Sequence, residues 1–478
     1  MNTLALLREW HRYQAGCHNV LEQPMPTDPA VSGLSADLYE LTMAAGYLET
    51  HFQARATFEL FVRRLPSHRN FLVFAGLEQA LEFLQHVRFS AAEIDYLRRH
   101  PAFARISPAF FDYLANFRFS GEVMAAAEGS VCFPGEPLLR VTAPIAEAQI
   151  METALLATIS FQTMIASKAA RIVEAAAARP VVEFGARRAH GIESGVLGAR
   201  AAFIGGCLGT SNVEAGHRFG IPTYGTQAHS WIMAHEDEEE AFSRFLDVFP
   251  NHSVLLLDTY DVHRAVEKVI AMDRKPRGVR LDSGELERDS RWVRERLDQA
   301  GWGDVEIFIS GDLDEYAIAD LLASGARVDT FGVGTALTTS SDAPSLGALY
   351  KLVEIERNGE VHEAAKFSAA KVTYPGRKQV YRAADKSGHY AGDVIALEDE
   401  PAPEGAPLLM PVMEAGQRLM PSEPLTKIQQ RCRSEVERLP ESLRGLQPAR
   451  EPYPVRYSAK LDALLQMVRE RIARVSSL

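Results

Sequence analysis

The sequence predicts an α/β protein whose centre is a parallel sheet of barrel type. Short apolar runs recur at 181–184, 221–224, 254–257, 279–281, 305–309 and 329–333. The last four begin about 25 residues apart, the length of one strand-plus-helix unit. Helical patterns fill the gaps, as at 262–272 and 314–323. Each run also ends in a polar or glycine-bearing segment, on the face where β/α barrels and doubly wound sheets build their sites. The units follow one another with no evident switch point, which favours the barrel.

Composition narrows the rest. A length of 478 residues suggests two or three domains of about 150 residues. Lys and Arg number 51 against 63 Asp and Glu, a net charge of −12. That balance argues against nucleic acid or an anionic membrane as partner. Cys17, Cys132, Cys207 and Cys432 lie far apart with no paired or zinc-like spacing, which predicts reduced thiols. The N-terminus lacks a basic start and an apolar leader core, and no apolar run reaches spanning length. A cytoplasmic location with no membrane span is the expectation.

Taken in order, Ser35-Ala36-Asp37 opens a helix striped by Leu38, Leu41, Ala45 and Leu48. Residues 57–62 alternate like a strand, and 76–84 read as a helix. Residues 121–141 read as short strands joined by Gly and Pro turns. The Ala-rich stretch 146–178 suits one or two helices. After the β/α units, the Pro-, Glu- and Gly-rich stretch 399–424 reads as an extended excursion. Leu461, Leu464, Leu465, Val468 and Ile472 stripe a final helix over 461–475.

The strand ends carry the chemistry. Arg187, Arg188 and His190 form either a phosphate or carboxylate clamp or a domain-edge salt-bridge network. Arg280-Leu-Asp282-Ser283-Gly284 places a cation, an acid and a hydroxyl at one strand end, and Asp282 suits ribose hydroxyls or a diphosphate-held Mg²⁺. Asp258, Asp261 and Asp312 add carboxylates. Gly332-Val-Gly334-Thr335 is a phosphate cradle or a tight turn. His229 is a nucleophile or base oriented by Asp258 or Asp282, or a structural histidine. His235 and the acidic run 236–240 read as a solvated helix face.

Together these segments resemble the nicotinate phosphoribosyltransferase family. The resemblance rests on Ala36-Asp-Leu-Tyr39-Glu-Leu-Thr-Met43, Glu183-Phe184-Gly-Ala-Arg187-Arg-Ala-His-Gly191, Gly209-Thr210-Ser211-Asn212, Gly225-Thr-Gln-Ala-His229-Ser230, Leu257-Asp-Thr-Tyr-Asp261, Arg280-Leu-Asp282-Ser283-Gly284 and Phe331-Gly332-Val-Gly334-Thr335. It covers about 37–352 strongly and the remainder weakly. It implies a type II phosphoribosyltransferase fold: an irregular α/β barrel over 146–352, beside an α/β domain of residues 1–145 completed by 353–478. It also implies a homodimer with shared sites. The implied reaction joins nicotinate to 5-phosphoribosyl 1-diphosphate, coupled to ATP hydrolysis, with Mg²⁺ as cofactor and metal ligands left unassigned.

By matching position, the resemblance makes His229 the phosphorylated histidine, with Arg280 and Asp282 beside it as catalytic residues. Ser283, Gly311, Asp312, Gly332, Gly334 and Thr335, with Arg187, Arg280 and Asp282, would hold the phosphoribosyl and phosphate groups. Tyr39, Phe184, Arg187, Thr210 and Ser211 would hold nicotinate, Tyr39 reaching in from a partner subunit. The related nicotinamide enzymes carry Asp where this chain has Ser211, so Ser211 favours an anionic ring substituent. The chain departs from the pattern at Ala36 and Glu285, which leave its charges intact. Lys366 and Lys371 fall in a further family-like stretch and bind ATP phosphate or merely lie on the surface. The rival readings are the same transfer to nicotinamide or quinolinate, and a catalytically inactive ligand-binding relative.

Overall fold

The computed structural model describes residues 32–367 and 372–476, and its framework is a mixed α/β arrangement of three larger sheets. Cys17, Lys371 and the N-terminal leader reading lie outside the described residues.

The parallel sheet contains Gly209–Thr210, Val181–Glu183, Thr330–Val333, Glu306–Ile309, Gly278–Leu281 and Val254–Leu256, in that spatial order. Its first strand in sequence, Val181–Glu183, therefore pairs with its last, Thr330–Val333. Ile307, Ile309, Leu281, Phe331 and Val333 are fully buried in one continuous core. Near-continuous apolar strands are what a parallel sheet covered by helices requires.

The apolar run at 221–224 does not become a strand. It makes a single parallel bridge, Thr210↔Thr223. Pro222 has no N–H to give a ladder; its carbonyl instead accepts from Thr210 N, and Tyr224 N donates to Thr210 O. The next link is a side chain: Gln227 Oε1 accepts from Leu256 N at 3.2 Å. The strand Gly209–Thr210 was not expected, because two small residues carry no periodic signal.

The helices between these strands start where the sequence supplies a cap. Asp261 accepts from Arg264 N at the head of Val262–Ala271, and Asp314 accepts from Tyr316 and Ala317 N at the head of Glu315–Ala323. Asp261 is thereby spent as a cap and leaves the set of strand-end carboxylates. The acidic run is also less solvated than expected. Asp237 caps Glu238–Val248, and Glu238 is buried against Lys268 Nζ at 2.9 Å.

The second sheet has seven strands and draws on both ends of the chain. Arg55–Val62 lies between Ala348–Arg357 and Pro137–Pro144, antiparallel to both. Met410–Glu414 pairs with Glu122–Ala125 within this sheet, so the stretch 399–424 contains a paired strand as well as loop. The Ala-rich stretch becomes two helices, Ile145–Ile150 and Glu152–Ala175. The C-terminal segment divides its burial. Lys378–Ala384 and Tyr390–Leu397 form part of a four-stranded sheet, whereas Ile428, Cys432 and Val436 of helix Leu425–Glu437 join the core of the parallel sheet.

Candidate active site

The strand ends converge on Arg280. Its guanidinium donates from Nε to Ser310 Oγ at 2.7 Å, from Nη1 to Thr226 Oγ1 at 2.7 Å and Gln227 O at 3.2 Å, and from Nη2 to Asp282 Oδ1 at 2.5 Å. Four of the five guanidinium N–H groups are thus committed, which fixes the fork and leaves one donor. Ser310 closes the triangle by donating to Asp282 Oδ1 at 2.5 Å. Burial pushes the Asp282 carboxyl up, but the Ser310 hydroxyl and the Arg280 charge outweigh it and hold the group below the usual Asp value. Asp282 is therefore an anion at neutral pH.

His229 sits at the rim of this cluster, at the start of helix His229–Met233. Its Nε2 lies 3.9 Å from Asp282 Oδ2, and its Nδ1 is 3.1 Å from Thr259 Oγ1. Asp258 does not orient the ring. Its Oδ2 instead accepts from Asp282 N at 3.1 Å and Ser283 Oγ at 2.5 Å. Asp258 Oδ1 is buried with no hydrogen-bond donor among the described residues.

Two glycines are dictated by close approach. At Gly311, φ is +92° and an added Cβ would lie 1.8 Å from Asp282 O. At Gly332 an added Cβ would meet the Phe184 ring at 2.7 Å. Phe184 is thus pressed against the end of strand Thr330–Val333, with the Arg280 guanidinium 5.8 Å from its ring centroid. Asp312 follows Gly311 with φ +43° and is exposed, and Thr335 is exposed at the start of the turn of helix after Gly334. Beside the Gly311 turn opens a cavity of about 360 Å³, lined by Gly284, Glu285, Gly311, Asp312, Leu313 and Leu321 among others.

Other candidates stand differently. Arg187 and Arg188 are exposed on a turn of 3-10 helix and form no ion pair among the described residues, so they are not a buried salt-bridge network. Ser211 is exposed, its N–H donating to Glu183 O and its hydroxyl without a partner among the described residues. Thr210, by contrast, is fully buried and all its polar groups are engaged within the chain. Its hydroxyl donates to Glu183 Oε2 at 2.5 Å, its N–H donates to Pro222 O, and its carbonyl accepts from Tyr224 N. Thr210 is a supporting residue, not a free ligand. Lys366 N donates to Thr373 Oγ1 at 2.9 Å.

Tyr39 lies apart, exposed on helix Leu38–Glu49, with no ring contact to Phe184 within the chain. Burial and the nearby Glu152 and Glu40 carboxylates push its phenol up. The adjacent Glu40 is fully buried, accepting from Thr153 N at 3.0 Å and from the Thr153 hydroxyl. Burial raises its carboxyl from 4.5 to about 7, against the Thr153 hydrogen bonds and with help from Glu152. The folded state thus holds this proton more tightly than the unfolded chain. Its contribution to stability is present below pH 4.5 and is lost as pH rises through about 7. Glu40→Gln is expected to flatten the dependence of melting temperature on pH across that window. A slope equal to that of the parent protein would show that Glu40 does not titrate there.

Sequence reasoning missed Ser310, Thr226, Gln227 and Thr259 as site-forming residues. Thr226, Gln227 and Thr259 sit inside motifs already singled out and Ser310 directly follows the run 305–309, but all four are hydroxyl or amide positions whose partners are distant in sequence. Glu183 was quoted only as part of a motif. It is buried, burial raises its carboxyl against the Thr210 and Gly185 hydrogen bonds, and it accepts from Gly185 N.

Comparison with known proteins bears on this arrangement. Three family models match in succession: the nicotinate phosphoribosyltransferase N-terminal domain over 34–160, the family core over 180–391 and the C-terminal domain over 404–465. A nicotinate phosphoribosyltransferase of Mycobacterium tuberculosis is 44% identical over 446 residues, covering 92% of this chain and 94% of that protein. One from Bacillus subtilis is 44% identical over 378 residues, covering 77% and 76%. Among solved structures, human nicotinic acid phosphoribosyltransferase superposes with a TM-score of 0.79 at 28% identity, covering 90% of this chain and 99% of that one.

Proposed function

The chain belongs to the nicotinate phosphoribosyltransferase family, and from that premise we propose how its strand-end cluster carries the reaction. It is an enzyme of this type, forming nicotinate mononucleotide from nicotinate and 5-phosphoribosyl 1-diphosphate in the salvage synthesis of NAD. The observation that carries the residue assignment is the Arg280–Asp282–Ser310 triangle beside two glycine turns.

Transfer breaks the bond from ribose C1 to the diphosphate oxygen, and the pyridine nitrogen of nicotinate forms the new bond to C1. Positive charge grows on the sugar and negative charge on the leaving group. Arg280, already locked by four hydrogen bonds, turns its remaining N–H toward the anion. The turns at Gly311-Asp312 and Gly332 to Thr335 offer backbone N–H groups to phosphate oxygens. Asp282, held anionic, faces the ribose side and steadies the developing cation; Ser283 lies beside it.

Mg²⁺ fits this donor set with one protein carboxylate and substrate phosphates. The buried, donor-free Asp258 Oδ1 is the oxygen that would hold it, and the ion would neutralise charge on the departing diphosphate. Among the described residues there is no cluster of three His, Cys, Asp or Glu side chains able to cage a metal alone.

Phe184 supplies one face for the flat pyridine, and Tyr39 of a second copy supplies the other, which makes the enzyme a homodimer. Arg187, exposed and without an ion pair among the described residues, receives the nicotinate carboxylate. His229 accepts the γ-phosphoryl group of ATP: a ring nitrogen bonds to phosphorus as the bond to ADP breaks, and water later hydrolyses the phosphohistidine. The pairing of first strand with last supports the irregular barrel of type II phosphoribosyltransferases, and the seven-stranded sheet, drawn from the described parts of both chain ends, supports a second α/β domain. Free, buried Cys132, Cys207 and Cys432 support a reducing, cytoplasmic location. Among the described residues, no helix is long and apolar enough to cross a membrane.

Ser211 sets the choice of base. Ser211→Asp is expected to lower kcat/KM for nicotinate at least about tenfold relative to nicotinamide, since two carboxylates would face each other. Competition between the two bases, read as mononucleotide formed, checks this. An unaltered preference would remove Ser211 from the base site.

A further inference from the structure

Behind the two glycine turns lies a buried ionic cluster that the reaction chemistry does not use. Lys168, in the middle of helix Glu152–Ala175, has a side chain 1% exposed. Its Nζ lies 2.6 Å from Glu315 Oε2 and 2.8 Å from Asp342 Oδ1. Glu315 stands three residues after Asp312, in the first turn of the helix that leaves the Gly311 turn. Asp342 follows the short helix Thr335–Thr338 that leaves the Gly334 turn. One ammonium therefore ties together the exits of both turns.

Two arginines complete the cluster. Arg69 Nη2 donates to Asp342 Oδ1 and to Ser340 Oγ, each at 3.1 Å, and its Nη1 lies 3.8 Å from Glu315 Oε1. Arg171 Nε donates to Glu315 Oε1 at 3.1 Å. Three cations thus face two carboxylates, and the side chains of all but Asp342 are almost wholly buried.

Placing an ammonium so deep costs desolvation that a well-packed apolar side chain would avoid. The cluster also carries one positive charge more than balance requires, so stability alone does not account for Lys168. Arg69 also spans the two exits but stands 3.8 Å from Glu315, whereas Lys168 holds both carboxylates within 3 Å, at 2.6 and 2.8 Å. A cradle of backbone N–H groups binds phosphate only if its turns hold position to a fraction of an ångström, and glycines give those turns no side-chain anchor. We propose that Lys168 is a positioning residue that sets the spacing of the Gly311-Asp312 and Gly332-to-Thr335 turns for the phosphoribosyl diphosphate. This rests on the reading above that these turns hold its phosphates.

Lys168→Met tests it, since the remaining two arginines and two carboxylates balance and the core keeps its volume. KM for phosphoribosyl diphosphate is expected to rise at least about tenfold with KM for nicotinate within about twofold. Amide hydrogen exchange at 311–315 and 338–342 is expected to quicken, and Lys168→Arg to recover part of the loss. Asp342→Asn, which cuts the tie at its more exposed end, is expected to show the same split and serves if Lys168→Met does not fold. Unchanged KM values, or equal rises in both, would overturn the role. Amide exchange at 311–312 and 332–335 of the parent protein, with and without phosphoribosyl diphosphate, separates the premise: if the substrate gives those N–H groups no protection while exchange still quickens in Lys168→Met, the phosphate assignment of the turns falls and the mechanical tie stands.

Discussion

Replacing Arg280 by Lys is expected to lower kcat by about 10²–10³, the cost of losing one preorganised donor set at a developing anion. A lysine ammonium offers three donors from a single point and cannot reproduce a planar fork. It would have to reach Ser310, Thr226 and Asp282 at once, which the guanidinium does from Nε, Nη1 and Nη2 separately. The change therefore frees Asp282 and Ser310 to move as well as removing the donor aimed at the diphosphate. Steady-state kinetics at saturating substrates check the effect. A loss below about fivefold would mean that the Arg280 fork is structural and that the leaving group is held elsewhere.

Replacing His229 by Ala is expected to abolish stimulation by ATP and release of ADP, leaving a slower ATP-independent transfer. The histidine is partly exposed at the rim of the cluster, and its contacts are the Thr259 hydroxyl and the more distant Asp282 carboxylate. Its loss therefore opens no core cavity, and the melting temperature should stay within a few degrees of the parent. Acid-labile phosphate from γ-labelled ATP should appear on the parent protein and be absent from the variant. ATP stimulation that persists in His229→Ala would remove the role assigned to this residue.

Much of this site was legible because strand-end chemistry is local in sequence. Arg280 and Asp282 are two residues apart, so one strand end presents both to the same face. The recurring apolar runs located five of the six parallel strands, since a buried parallel strand is a short apolar run. The remaining strand, Gly209–Thr210, was hidden because glycine and threonine carry no apolar signal. The run at 221–224 misled for the opposite reason: it is apolar, but Pro222 cannot ladder. Residues whose role lies in distant hydrogen bonds stayed invisible. Ser310 bonds across 28 residues to Asp282 and 30 to Arg280. Asp261 looked like a site acid but caps a helix, and a sequence does not distinguish these uses of an aspartate at a strand end. Thr210 looked like a ligand inside its motif, yet its buried setting commits its hydroxyl to Glu183.

The coupling of transfer to ATP through His229 is read from the initial rate of nicotinate mononucleotide formation from nicotinate, phosphoribosyl diphosphate and Mg²⁺, with and without ATP, with ADP followed in the same reaction. A faster rate with ATP is expected, with ADP released alongside product. Equal rates with and without ATP, and no ADP, would contradict it by leaving His229 without a phosphoryl group to accept.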